Sequence, residues 1–150
     1  YFGHSLGSPD KQDEVVQMSV DQVIDFCRED IKKNNETIVR QEEEAKKRGL
    51  VLIAYEGGQH LVGHGGAEND TKLERLFHAA NRHPRMRDLY LEYLAGWKQA
   101  GGTMFVMFSS TGKYSKWGSW GLMEYHGQPE SSAPKYQAVL DFIERNPRWW

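Results

Sequence analysis

Two short, largely apolar runs, LVLIAY at 50–55 and TMFVMF at 103–108, constrain this chain more than any other feature. Each is entered from a glycine, Gly49 or Gly102, and left through a polar, glycine-bearing loop, with helical periodicity between them. Apolar runs of this length between turn signals have the pattern of strands buried on both faces, and strands joined by helical crossovers lie parallel. A stub at Tyr1 and Phe2, ahead of the first helix, takes the place of a further strand. The expected class is α/β, with parallel strands alternating with helices. In such folds ligands gather at the carboxyl ends of the strands, so the loops that follow Phe2, Tyr55 and Phe108 are the ones to watch.

The helices are legible from caps and stripes. Ser19 with Gln22 has capping-box spacing, and Val20, Val23, Ile24, Cys27, Ile31, Ile38 and Val39 form one stripe ending at Gly49. About 30 residues is long for a globular helix, and the Asn34–Asn35 pair is a candidate break. The charge run ETIVRQEEEAKKRG reads as a solvated helix face. Thr71 with Glu74 is a second capping pair, for a helix reaching His83, and Pro84 restarts a stripe of Met86, Leu89, Tyr90, Tyr93, Leu94 and Trp97. A last helix begins around Ser132 and Pro134, carries Tyr136, Val139, Leu140 and Ile143 inward and stops before Pro147. Trp149 and Trp150 are expected to mark packing or a cut site.

Composition excludes several function classes. The 150 residues carry 19 Lys and Arg against 21 Asp and Glu, a formal net charge of −2, so no overall basic surface favours nucleic acid. No stretch approaches the roughly 20 apolar residues of a membrane span. The single cysteine, Cys27, makes neither an internal disulfide nor a cysteine-based metal site. The opening residue is Tyr, not Met, which suggests residues 1–150 are a single domain or a fragment of something longer.

Glu56 is the most informative single residue, because a carboxylate placed directly after a buried apolar run stands at the rim of the sheet. Gly57 and Gly58 then let other groups come close. The alternative is a Glu satisfied by loop amides. His60 and His64, with His4 in a parallel loop, raise the question of a metal, but i, i+4 histidines form a ligand pair only on a helix, and EGGQHLVGHGG has five glycines in eleven residues. No metal or other cofactor is expected. Trp117 and Trp120 leave the last strand and suit either a sugar face or packing under a loop. Ser109–Ser110 lacks the sharp nucleophile turn of a hydrolase triad, and GHGG lacks the Lys and Ser/Thr of a phosphate-binding loop.

The order YFG, helix, LIAYEGGQHL, helical pair, strand and Trp-bearing loop resembles the last three βα units of clan A retaining glycosidases, which fold as (β/α)8 barrels. The resemblance spans almost the whole chain, but its specific part is AYEGG with the flanking strand and the late Trp loop. It implies a partial barrel, the carboxyl-terminal portion of a retaining glycoside hydrolase acting on a polysaccharide or oligosaccharide. It places the nucleophile on Glu56, a residue that orients it on Tyr1, sugar contacts on His4 and His60, and the subsite floor on Trp117 or Trp120. A secreted or periplasmic location is implied by the resemblance alone.

The departure is large. The family's acid/base Glu lies at the end of the fourth strand, and this chain corresponds to the sixth onward. Retaining hydrolysis needs two carboxyls roughly 5 to 5.5 Å apart. Three βα units are also too short to close a barrel of typically about 250 residues. The expected partners are therefore carbohydrate and the amino-terminal half of the same barrel, or self-association, with enzymatic activity only when that half is present. The alternative is a non-catalytic carbohydrate-binding or scaffold domain.

Overall fold

The computed structural model describes residues 1–149; Trp150 lies outside the described residues. After 3₁₀ turns at His4–Gly7 and Pro9–Lys11 and one short turn of helix, α1 (Gln12–Val15), the chain enters α2 (Val20–Lys47). The capping box forms as its spacing requires: the Gln22 N–H donates to Ser19 Oγ at 3.2 Å, and the Ser19 N–H donates to Gln22 Oε1 at 2.8 Å. Val23, Ile24, Cys27 and Ile31 are buried, and the helix continues without a break through the asparagine pair. The pair is absorbed by tertiary contacts. The Asn34 amide donates to the Tyr1 carbonyl at 2.8 Å, and Asn35 lies against Gly96, where any side chain would collide with it. Val39, expected on the apolar stripe, is exposed instead.

Strand β1 (Ala54–Gly57) pairs in parallel with β2 (Phe105–Met107), and Phe2 adds a parallel bridge to Gln59 on the other side of β1. The spatial order is thus the Phe2 segment, β1, β2, in a mixed α/β arrangement with five helices and a two-stranded parallel sheet among the described residues. Between the strands come a 3₁₀ turn at Ala67–Asn69, α3 (Thr71–Arg82) and α4 (Arg85–Gln99), and after β2 a long loop leads to α5 (Pro134–Arg145). Helix α4 packs between α2 and α5. The α3 cap is Asp70 rather than Thr71: its carboxylate accepts from the Lys72 and Leu73 N–H groups, and Gln12 Nε2 donates to it at 2.7 Å.

The expectation that 50–55 and 103–108 are buried on both faces is corrected. Burial alternates with period two, as it does in a strand with one covered face. Phe105 turns inward, with its ring 5.4 Å from Tyr93 and 5.3 Å from Trp97. Val51, Ile53 and Tyr55 in one apolar run and Met104, Val106 and Phe108 in the other face outward and are exposed, Tyr55 by 77%. Among the described residues nothing pairs with the far edge of β2. Beside that edge a groove of about 470 Å³ runs between Trp97, Phe105, Phe142 and Ile143, so Ile143, expected to point inward, lines an open surface and is 64% exposed. Trp149 packs edge-on against Phe142 and donates its indole N–H to the Gly102 carbonyl at 3.0 Å.

Candidate functional site

Glu56 sits in a local irregularity of β1. Ala54 is level with Phe105 and Gly57 with Met107, so three steps in β1 match two in β2, the signature of a bulge. Bulges re-aim side chains at sheet rims, and this one spans Tyr55 and Glu56. Gly57 is needed at this point, because a Cβ on it would run into the Phe105 ring and come within 3.3 Å of the Tyr93 hydroxyl.

The neighbouring segment brings Tyr1 to that carboxylate. The Phe2 N–H donates to the Gly58 carbonyl at 3.1 Å, and the His60 N–H donates to the Phe2 carbonyl at 2.7 Å. This locks Tyr1 beside the end of β1. Burial, the charge of Glu56 and a hydrogen bond to Glu56 together push the Tyr1 phenol up to about 12. The phenol therefore stays protonated across the neutral range, beside the carboxylate.

An aromatic wall stands next to this pair. The Trp120 ring lies 6.1 Å from Tyr1, 5.0 Å from His60 and 5.7 Å from Phe108, each contact edge-to-face. Trp120 is fixed by its backbone: the Ser109 N–H donates to the Trp120 carbonyl at 3.0 Å, and the Leu122 N–H donates to the Ser109 carbonyl at 2.9 Å. The Phe108–Ser109 peptide at this exit is cis. Trp117 takes a different place, 64% exposed, with the Lys116 ammonium 4.6 Å from its ring centroid. Of the two tryptophans named from the sequence, Trp120 joins Tyr1 and His60.

The histidines also converge. His4 Nδ1 and His60 Nδ1 are 3.1 Å apart, which requires one ring to donate and the other to accept, and His64 stacks on His4 at 4.7 Å. Burial and the proximity of His4 lower the His60 pKa, favouring its neutral form. Among the described residues no group of three or more His, Cys, Asp or Glu is arranged to hold a metal ion. The cluster offers hydrogen-bond donors and acceptors beside a carboxylate.

Two features escape a reading of the sequence. Phe108 ends the last apolar run and looks like core, but strand alternation turns it to the open face beside Trp120. The second is a buried polar cluster behind the wall, made by Gln59, Asn81, Ser119 and Lys135. Its one sequence signal is Lys135 in the first turn of α5, where a cation opposes the helix dipole.

Comparison with protein-family models, curated proteins and solved structures finds no match to this chain. No helix among the described residues is long and apolar enough to cross a membrane.

Proposed function

We propose that this chain is the carboxyl-terminal portion of a retaining glycoside hydrolase built on a (β/α)8 barrel, with Glu56 as nucleophile. The observation that carries the reading is the placement of Tyr1 beside Glu56 at the carboxyl rim of a parallel sheet. A phenol held beside a carboxylate fixes its orientation and leaves its other oxygen for attack. Trp120, with Tyr1 and His60 around it, offers an apolar face for the C–H side of a sugar ring, and His4 and His60 offer partners to its hydroxyls.

The chemistry follows from these roles. Glu56 attacks the anomeric carbon as the glycosidic C–O bond breaks, and an acid protonates the departing oxygen. That acid then acts as base, taking a proton from the water that cleaves the glycosyl–Glu56 ester, and Glu56 is regenerated. In this reading the amino-terminal half of the barrel supplies the acid/base. The same half would cover the outward face of Val51, Ile53, Tyr55, Met104 and Val106 and pair with the bare edge of β2. The exposed Trp117 favours a second reading, a carbohydrate-binding domain in which Glu56 only accepts hydroxyl hydrogen bonds.

The test is to treat the longest expressible form of the protein with 2-deoxy-2-fluoro glycosyl fluorides of several sugars and locate any adduct by peptide mass spectrometry. A glycosyl group on Glu56, absent in Glu56→Gln, is the expected result. A folded protein containing both halves that turns over substrate with Glu56→Gln in place would overturn it.

A further inference from the structure

Behind the aromatic wall, the polar cluster has no part in the proposed chemistry. Lys135 is fully buried, and its ammonium has three N–H directions to satisfy. It meets three acceptors: the Ser119 carbonyl at 2.5 Å, Asn81 Oδ1 at 3.0 Å and the face of Tyr114, whose centroid is 4.6 Å away. The acid whose charge reaches it, Glu124, is already held by two hydrogen bonds from Arg82. A buried cation without its own carboxylate is costly, and a Met would fill the same space without that cost. What a Met lacks is a donor for the Ser119 carbonyl.

That carbonyl also accepts from Gln59 Nε2 at 2.9 Å. Gln59 is itself fixed, since its N–H donates to the Tyr90 hydroxyl at 3.2 Å and its Oε1 accepts from the Leu61 N–H at 2.6 Å. One oxygen thus joins the segment after β1, the first turn of α5 and the loop that carries Trp120. We infer that Lys135 and Gln59 are positioning residues, which clamp the Ser119 carbonyl and so hold Trp120 against Tyr1 and His60. The consequence for sugar binding rests on the glycosidase reading, whereas the clamp does not.

A clamp of this kind responds to pH. Burial pushes the Lys135 amine down to about 7. Losing the proton removes the positive charge and one of three donors, and the contact with Ser119 weakens. The other ionisable groups around it are Tyr114 and Tyr90, both kept protonated by burial, the Arg82–Glu124 pair, and His78, whose Nε2 lies 3.2 Å from the Ser115 carbonyl oxygen. Loss of the Lys135 proton in the neutral range therefore loosens the hold on Trp120, and low pH tightens it.

The experiment is an NMR titration from pH 5.5 to 9 of the longest expressible form, labelled at tryptophan and lysine, with Trp120 assigned through W120F. The Trp120 indole resonance is expected to shift with the same midpoint as the Lys135 side chain, and to lose that step in K135M. A Trp120 signal that is flat in the natural protein, or that titrates unchanged in K135M, overturns the clamp. Should K135M fail to fold, the double variant H4N/H60N decides. A titration that persists without the two histidines supports Lys135 as its source, and one that vanishes assigns it to them and overturns the clamp. No sugar enters this measurement, so an unlabelled Glu56 with a titrating Trp120 removes the glycosidase reading and leaves the clamp standing.

Discussion

The Tyr1 phenol lies beside the Glu56 carboxylate, on the segment that runs parallel to the end of β1. A phenol that donates to an ionised carboxylate contributes about 1.5 to 3 kcal/mol. On the glycosidase reading, Tyr1→Phe in a protein that contains both halves of the proposed barrel is expected to lower turnover about 10- to 100-fold, the same energy expressed as a rate. It should also abolish one late phenol titration. In the natural protein the folded-state value of about 12 lies above the ordinary 10, so the stabilising contribution of this phenol is complete below pH 10 and is lost as pH rises through 12. Ultraviolet titration at 295 nm of both proteins checks the second point and steady-state kinetics the first; unchanged turnover would remove Tyr1 from the site.

At the start of α3 the cap belongs to Asp70, which accepts from two helix N–H groups. Asp70→Ala is expected to cost about 1 kcal/mol, in the ordinary range for a lost cap, and Thr71→Ala much less. Hydrogen bonds from Gln12, Leu73 and Lys72 hold the Asp70 carboxyl below its usual value. Its contribution is therefore present above the unfolded carboxyl pKa and is lost as pH falls through the lower folded one. Urea unfolding of the two variants at neutral and acid pH tests both statements; equal losses for Asp70→Ala and Thr71→Ala would refute the assignment.

The outward face of the sheet carries Val51, Ile53, Tyr55, Met104 and Val106 in two adjacent rows. An exposed apolar patch next to an unpaired strand edge promotes association. Residues 1–150 expressed alone are expected to sediment above monomer mass at tens of micromolar, and Val106→Asp to shift the distribution toward monomer. On the glycosidase reading, co-expression with the proposed amino-terminal half should have the same effect without substitution. A natural chain that stays monomeric at high concentration counts against a covered face.

Lys135 also affects global stability, with a sign opposite to that of its local clamp. Its folded-state value of about 7 lies below the ordinary 10.5, so the unfolded chain binds the proton more tightly and stability rises with pH between the two values. Replacing the amine by Met removes the penalty. The melting-temperature difference, K135M minus natural protein, should therefore be more positive at pH 6 than at pH 10. A difference independent of pH would show that Lys135 titrates as it does in water.

Much of this arrangement is written locally in the sequence. Ser19 with Gln22 starts α2 because the reciprocal hydrogen bonds depend only on a spacing of three, and Gly49 ends the segment because a left-handed turn suits glycine, here at φ +65°. The apolar runs locate both strands, and the position of Glu56 after one of them marks the rim. Their burial does not follow in the same way. Run length alone does not distinguish a strand covered on both faces from one covered on a single face, and the alternation of Phe105 inward with Val106 outward depends on which helices pack there.

The composition of the site belongs to the tertiary structure. Tyr1, Trp120 and the Glu56–His60 segment are distant in sequence, and their meeting depends on the parallel register that sets Phe2 beside Gln59. Local propensity carries no information about that register. The choice of Trp120 over Trp117 was decided by backbone hydrogen bonds to Ser109, and the role of Lys135 by a carbonyl sixteen residues away. The sequence by itself determined where strands and helices begin and which carboxylate ends a strand, because those depend on contacts within a few residues. Only the folded chain decided which side chains face one another, because packing distant segments together fixes long-range register, burial and the pKa values that burial shifts.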